Sequence, residues 1–353
     1  MAMDLMKVLA YAKEKKASDL HVTVNRPPVL RIRGELLPLG EEIMNVDEVK
    51  ELAYFLMGPK QQATFEEFGE VDFSWSQPNI NRYRVNAYRQ RNSCAIAMRM
   101  ISNEIPTFEE IRLPEIFKEL AMKPRGLFLV TGPTGSGKST TLAAMVGHIN
   151  ENRRCHVITI EDPIEYMHKH NLSLVNQREV GDDTTSFARA LRSALREDPD
   201  VILVGEMRDY ETISTAMTAA ETGHFVMSTL HTTTAAMTID RIIDSFPPHQ
   251  QSQIKGQLST VLEGIVTQQL VRTADRQAIV PVFEILIAND AVRNLIREGK
   301  ISQIDTVIQT NIKNGMVPMD YSLAQLVKEN VITREDAEFR CVDKEIFFRY
   351  LRG

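Results

Sequence analysis

Cysteine is scarce in this 353-residue chain: Cys94, Cys155 and Cys341 lie far apart, and no CxxC pair occurs. That argues against a disulfide framework and against a cysteine zinc module, and leaves isolated, buried thiols as the reading. Tryptophan is scarcer still, Trp75 alone, and the net charge is −6. Nucleic-acid grooves combine a basic surface with stacking aromatics, so no nucleic-acid partner is expected. Long apolar runs are missing too: none approaches the roughly 20 residues that cross a bilayer, and Asp4 and Lys7 interrupt the first apolar stretch. The expectation is a cytoplasmic protein with no direct membrane insertion. Internal repeats and low-complexity segments are equally absent. The length exceeds one ordinary core, which predicts two or more domains.

What is present is concentrated at residues 127–141, LFLVTGPTGSGKSTT. The apolar run 127–130 reads as a buried parallel strand. It leads into Gly132, four variable residues, Gly137, Lys138 and Ser139, a complete P-loop. Glycines let the backbone curl from Gly132 through Pro133, Thr134, Gly135 and Ser136 to Gly137, so that its N–H groups face one anion. Lys138 adds a point charge for the β- and γ-phosphates, Ser139 offers Mg2+ a hydroxyl, and Thr140 follows in the first turn of a helix whose positive end also favours phosphate. A glycine turn that merely joins strand to helix needs neither Lys-Ser nor this spacing. A nucleoside triphosphate with Mg2+ is the expected ligand.

The N-terminal stretch reads as a mixed α/β domain, residues 1–101. Leu5, Val8, Leu9 and Ala12 recur at helical spacing, runs 19–24 and 29–33 read as strands, and Val49, Leu52, Ala53 and Leu56 mark a second helix. In the strand 82–90, Arg82, Arg84, Asn86 and Tyr88 share one face while Tyr83, Val85 and Ala87 share the other; residues 95–101 add one more strand. Pro106, Pro114 and Pro124 bracket a short helix in residues 102–124, which reads as a hinge.

From Arg125 the apolar runs 127–130, 157–160, 201–204 and 225–230 alternate with helical patterns, the mark of a parallel sheet covered on both faces, so the class is α/β. This gives an ATPase core at 125–288. Ile254, Leu258, Val261, Leu262 and Ile265 fit one long helix, residues 279–287 another strand, and residues 289–353 a helical C-terminal region. In that region the apolar Ala291, Val292, Leu295 and Ile296 share one helical face. Arg293, Asn294, Arg297 and Glu298 share the opposite, charged face.

Parallel sheets bind ligands beyond the carboxyl ends of their strands. There the run 157–160 ends in Glu161 with Glu165 four residues on, the run 201–204 ends in Gly205-Glu206, and the run 225–230 ends in His231. Polar strand ends usually just meet water, but three of them converge on the edge that holds the P-loop. Phosphoryl transfer needs a metal ion to bridge phosphates and a carboxylate to orient water, so Glu206 with Ser139 reads as the Mg2+ pair and Glu165 or Glu161 as the holder of the lytic water.

Four segments together carry a resemblance: GPTGSGKST, the acidic box TIEDPIEY at 159–166, DPDVILVGEMRD at 198–209 and the histidine box TAAETGHFVMSTLHTTTA at 218–235. The chain resembles the PilT-type ATPases of type IV pili, within the secretion-ATPase superfamily. ASDLH at 17–21, RYRVNAY at 82–88 and VRNLIREGK at 292–300 extend the likeness over nearly the whole length. The resemblance implies a PAS-like N-terminal domain followed by a RecA-like motor domain in a homo-hexameric ring. It implies a peripheral place at the inner face of the cytoplasmic membrane, an inner-membrane pilus platform protein as partner, and an accessory retraction ATPase as a further one. It makes Glu165 the general base with Glu161 beside it, Glu206 the Walker-B acid, and His224 and His231 a link between nucleotide state and subunit interface. His224 precedes its strand, so the resemblance alone supports it. Arg82, Arg84 and Arg99 resemble arginines that approach nucleotide from the N-terminal domain; on sequence pattern alone, Arg82 and Arg84 would point into water.

The function implied is ATP-driven pilus retraction and twitching motility. The competing functions are a PilU-like accessory retraction ATPase and a pilus-extension or type II secretion ATPase; the latter commonly carry two CxxC pairs, which this chain lacks. A RecA-fold helicase or packaging motor would add a basic, aromatic groove. A nucleotide-gated scaffold without turnover would lack carboxylates such as Glu165 and Glu206.

Overall fold

The computed structural model describes residues 4–77, 81–101 and 104–352. It contains two compact units, Met1–Glu104 with Pro163–Met167, and Ile105–Asp162 with His168–Gly353.

The first unit is one antiparallel sheet with three helices. Helix α1 (Leu5–Glu14) starts at Asp4, whose carboxylate accepts from Lys7 N, and buries Leu5, Val8, Leu9 and Ala12. Strands β1 (Asp19–Thr23), β2 (Val29–Ile32) and β3 (Glu35–Pro38) follow. Helix α2 (Val46–Leu56) opens on an Asn45–Glu48 capping box. Helix α3 (Pro59–Phe68) has proline in its first turn and ends on left-handed Gly69, φ +80°. Strands β4 (Glu70–Gln77), β5 (Asn81–Gln90) and β6 (Ser93–Met100) complete the order β3-β2-β1-β6-β5-β4. Burial alternates along β5 as its pattern requires: Tyr83, Val85 and Ala87 are buried and Arg84 and Tyr88 exposed. Three elements are not legible in the sequence pattern. β3 is wholly exposed at the sheet edge, β4 has no expected counterpart, and α3 buries only Phe65, so it has no apolar stripe to read.

The second unit is a parallel sheet between helices. Helix α4 (Ile116–Ala121) precedes β7 (Gly126–Thr131), which feeds α5 (Lys138–Asn152) through the glycine loop. Then come β8 (His156–Glu161), β9 (Leu174–Glu179), α6 (Phe187–Ala194), β10 (Val201–Val204), α7 (Tyr210–Glu221) and β11 (Phe225–Leu230). Helices α8 (Ala235–Asp244) and α9 (Pro248–Val261) lead to a final strand pair, β12 (Leu262–Arg272) and β13 (Ile279–Ile287). The order is β13-β12-β7-β11-β10-β8-β9, parallel except for β13. Leu127 and Leu129 face a core shared with α7, α8 and α9; Phe128 and Val130 face one shared with α4 and α5. Helices α10 (Asp290–Glu298), α11 (Ile304–Thr310), α12 (Met319–Lys328), α13 (Arg334–Arg340) and α14 (Lys344–Arg352) close the chain.

Four sequence expectations are corrected here. The long helix over Ile254–Ile265 ends at Val261, and Leu262 onward is β12. The helical spacing was real, but Ile265 and Val266 are both fully buried, one on each face of the sheet, which a helix stripe cannot provide. The stretch read as a hinge contributes to the core: Phe108, Phe117, Leu120 and Ala121 are buried, and Phe117 packs against Phe128 and Phe283. β9 was unforeseen because it is a polar edge strand, with only Val175 and Glu179 buried. Finally, Arg293 on the charged face of α10 is largely shielded from water. Its guanidinium donates to the carbonyls of Ser259 (3.0 Å) and Thr260 (2.7 Å) at the end of α9 and pairs with Glu263 at 3.1 Å. The charged side of α10 therefore begins with a helix cap. The last helix, α14, docks with its Phe347 buried among Val271, Val282 and Leu323.

Candidate active site

The phosphate loop joins β7 to α5 with three glycines at positive φ, Gly132 (+140°), Gly135 (+78°) and Gly137 (+87°). Gly132 has no room for a side chain, since a Cβ there would lie 2.2 Å from the Gln268 backbone oxygen; one on Gly137 would lie 2.8 Å from Nε2 at the tip of the Gln268 side chain. Gly137 is the N-cap of α5 and has no side chain to cap it, so the first-turn N–H groups are left for an external acceptor. Lys138 is buried, and its Nζ donates to the carbonyls of Gly132 (2.9 Å) and Pro133 (3.1 Å), which folds the ammonium over the loop. Ser136 Oγ is buried with no hydrogen-bond partner. Pro133, Thr134 and Gly135 are exposed, and Ser139 and Thr140 half-buried. An uncapped helix start, a buried cation and an orphaned hydroxyl in one loop fit a polyphosphate.

Glu206 leaves the end of β10 beside this loop's sheet neighbour, β11. Its carboxylate accepts from Arg208 Nε at 2.6 Å and from His231 Nε2 at 3.1 Å. Burial pushes the Glu206 pKa up, but the Arg208 hydrogen bond and the nearby His231 outweigh it and hold the carboxyl below its ordinary range. Glu206 is thus an anion locked between a cation and a titratable ring. Glu161 ends β8 and accepts from Thr159 Oγ1 (2.6 Å) and from Gln177 Nε2 of β9 (3.3 Å). Glu165 is exposed and lies in Pro163–Met167, the segment that groups with the first unit.

His224 and His231 bracket β11. His231 is at the carboxyl end, on Glu206. His224 is at the amino end, its Nδ1 2.9 Å from the Ala219 carbonyl and 3.3 Å from Thr222 Oγ1 at the close of α7. Six strand residues, roughly 20 Å, separate them, so the structure joins only His231 to the acidic edge.

In the first unit, Arg84 forks onto Asp72, with Nε to Oδ2 at 3.0 Å and Nη2 to Oδ2 at 2.5 Å. Arg99 Nε donates to Asp19 Oδ1 at 3.0 Å. Burial pushes the Asp19 carboxyl up, yet hydrogen bonds from Ser18 and Arg99 win and lower it. Arg82 is half-buried opposite Ser76 on β5.

Sequence reasoning missed four residues that shape this site: Arg208, Gln177, Gln268 and Thr141, whose Oγ1 donates to Gln268 Oε1 at 2.7 Å. Arg208 stood in plain sight two residues after Glu206. The other three depend on β9 and β12, the strands the pattern did not yield. Among the described residues, no group of three or more His, Cys, Asp or Glu forms a metal cluster.

A family model described as type II/IV secretion system protein matches residues 78–333, more than half of the chain. The type IV pilus retraction ATPase PilT of Pseudomonas aeruginosa is 47% identical over 345 residues, which cover 98% of this chain and 100% of that protein. A twitching motility protein of Neisseria gonorrhoeae is 50% identical over 318 residues, 90% of this chain and 85% of that one. The type IV pilus ATPase PilU of P. aeruginosa is 42% identical over 95% of this chain and 88% of its own length. Among solved structures, the pilus retraction motor PilT with bound ADP superposes with a TM-score of 0.91 at 47% identity, covering 98% of this chain and 99% of that one.

Proposed function

We propose that this chain, which belongs to the type II/IV secretion system protein family, is an ATP-hydrolysing motor that drives type IV pilus retraction. The observation that carries the reading is the end-to-end likeness to a retraction motor, N-terminal unit included, at nearly half identity. The accessory-ATPase reading has less support, because its representative is less similar over a smaller share of both chains.

In the proposed cycle the loop N–H groups from Gly132 to Gly137 and the first turn of α5, with Ser139 and Thr140, bind the phosphates. Lys138 exchanges its carbonyl partners Gly132 and Pro133 for phosphate oxygens, a neutral-to-charged trade that strengthens the bonds. Ser139 and Glu206 would hold Mg2+, which would neutralise charge developing on the phosphates. Glu165 takes the proton of the attacking water at its carboxylate, with Glu161 held beside the reaction by Thr159 and Gln177. His231, on Glu206, senses whether that carboxylate is engaged. His224 acts at the other end of β11, toward the subunit interface. Arg82, Arg84 and Arg99 add positive charge from the N-terminal domain; Arg84 and Arg99 must first leave Asp72 and Asp19.

The assembly proposed is a homo-hexamer at the inner face of the cytoplasmic membrane, acting on an inner-membrane platform protein together with an accessory retraction ATPase. The test is deletion in the native host with pili imaged, complemented by the wild-type chain or by Lys138→Ala. Surplus pili that never retract, rescued only by the wild type, are expected. Loss of pili would assign the chain to extension instead.

A further inference from the structure

β12 carries a buried polar residue that the chemistry above does not use. Gln268 is 3% exposed and follows Thr267, which pairs with Thr131, so it stands beside Gly132 where the phosphate loop begins. Its side-chain oxygen accepts from Thr141 Oγ1 at 2.7 Å, in the first turn of α5. Its backbone oxygen and its Nε2 are the atoms that a Cβ on Gly132 or on Gly137 would meet, at 2.2 and 2.8 Å. One residue therefore backs the loop at its start, at its end and one turn into the helix. A loop with three positive-φ glycines has little conformational preference of its own, so its curl must be imposed from outside. A buried amide where an apolar side chain of equal length would fill the space is costly unless its polarity is used.

We propose that Gln268 is a positioning residue for nucleotide binding: its hydrogen bond to Thr141 fixes the first turn of α5, and its contact with Gly132 and Gly137 holds the loop in the shape that directs N–H groups at the phosphates. This rests on the ATPase reading. It also explains why β12 is inserted next to β7, between the nucleotide strand and the C-terminal strand β13.

The test compares the full-length wild type with Gln268→Met, Gln268→Glu, Thr141→Val and the Gln268→Met/Thr141→Val pair. Three quantities are read: melting temperature without ligand, its rise with Mg·ADP, and KM and kcat for ATP. Gln268→Glu keeps an oxygen for Thr141 but places a second, anionic oxygen behind Gly137. A buried anion costs stability, so it should melt below the wild type, its ADP-induced rise should shrink and its KM should increase about tenfold or more. Gln268→Met should lower kcat/KM by roughly ten- to a hundredfold, the scale set by loop misplacement. The double variant should be no worse than Gln268→Met, because the same bond is lost once. Additive losses overturn the proposal, as does a fall in the ligand-free melting temperature with ADP response and KM unchanged, which would be packing alone. Should Gln268→Met fail to fold, unchanged ADP response and KM in Gln268→Glu and Thr141→Val overturn it equally. A wild type with no ADP response would overturn the ATPase reading and this inference with it.

Discussion

In the seven-stranded sheet every residue of β7, β10 and β11 is buried, whereas in the six-stranded sheet β5 buries Tyr83, Val85 and Ala87 and leaves Arg84 and Tyr88 outside. The parallel sheet, covered on both faces, has no flank on which to put charge. Its charged and polar groups collect where the strands end: Glu161, Glu206, His231 and the phosphate loop. The antiparallel sheet has an open flank and displays arginines along it, at Arg82 and Arg84. Charge on a strand end is fixed by backbone geometry. Charge on an open face can find an acidic neighbour, and Arg84 and Arg99 have done so with Asp72 and Asp19. The second unit thus has a site that is largely built. The first holds cations already paired with acidic neighbours on their own sheet.

Lys138→Ala attacks the built site most directly and should abolish measurable ATP turnover, read by phosphate release. Glu165→Gln should retain ATP binding and lose roughly 10²–10⁴-fold in hydrolysis, the usual range for one oriented base. Normal hydrolysis by Glu165→Gln together with loss in Glu161→Gln would move the base onto the strand end that Thr159 and Gln177 already hold.

The covered sheet should also show its cost in pH dependence. Glu284 of β13 is buried and accepts from Ala235 N at 2.7 Å, at the start of α8. Burial raises its pKa from 4.5 to about 7, with Asp305 and Asp320 adding to the rise and the Ala235 and Met319 N–H groups opposing it. The folded state therefore keeps a proton that the unfolded chain releases. The stabilisation from this group is complete below about pH 4.5 and is lost as pH rises through about 7. A shift of that size corresponds to on the order of 3 kcal/mol. Thermal melts of Glu284→Gln across pH 4.5 to 8 should have a flatter slope than those of the wild type; parallel slopes would show that Glu284 does not titrate in this window.

The open sheet should respond more weakly and unevenly. Arg82→Ala should lower kcat by roughly tenfold with little change in nucleotide affinity, as expected of a group acting on transition-state charge. Arg84→Ala should change stability by less than about 1 kcal/mol, since its Asp72 pair is solvent-exposed. Equal kinetic effects of the two would show that the Asp72 pair breaks readily during turnover; no effect of either would leave both as surface strand residues.

Some of this protein is local in origin, and the sequence by itself determined it. The P-loop is contiguous, so glycine spacing, Lys138 and Ser139 announce phosphate binding without any tertiary information. Continuous apolar runs announce a sheet buried on both faces, and the residue after each run marks the functional edge. Tertiary structure alone decided what depends on a neighbour. Residues 262–265 continue a helical apolar spacing, and only the places between β7 and β13 turn them into a strand. Gln177 joins the site because β9 pairs with β8 and brings its amide to Glu161, and Gln268 because β12 pairs with β7 as far as Thr131, next to Gly132; no periodicity encodes either. Arg293, on the charged face of its helix by pattern, becomes a helix cap for the same reason: α9 ends beside it, and its last carbonyls lack donors within the helix.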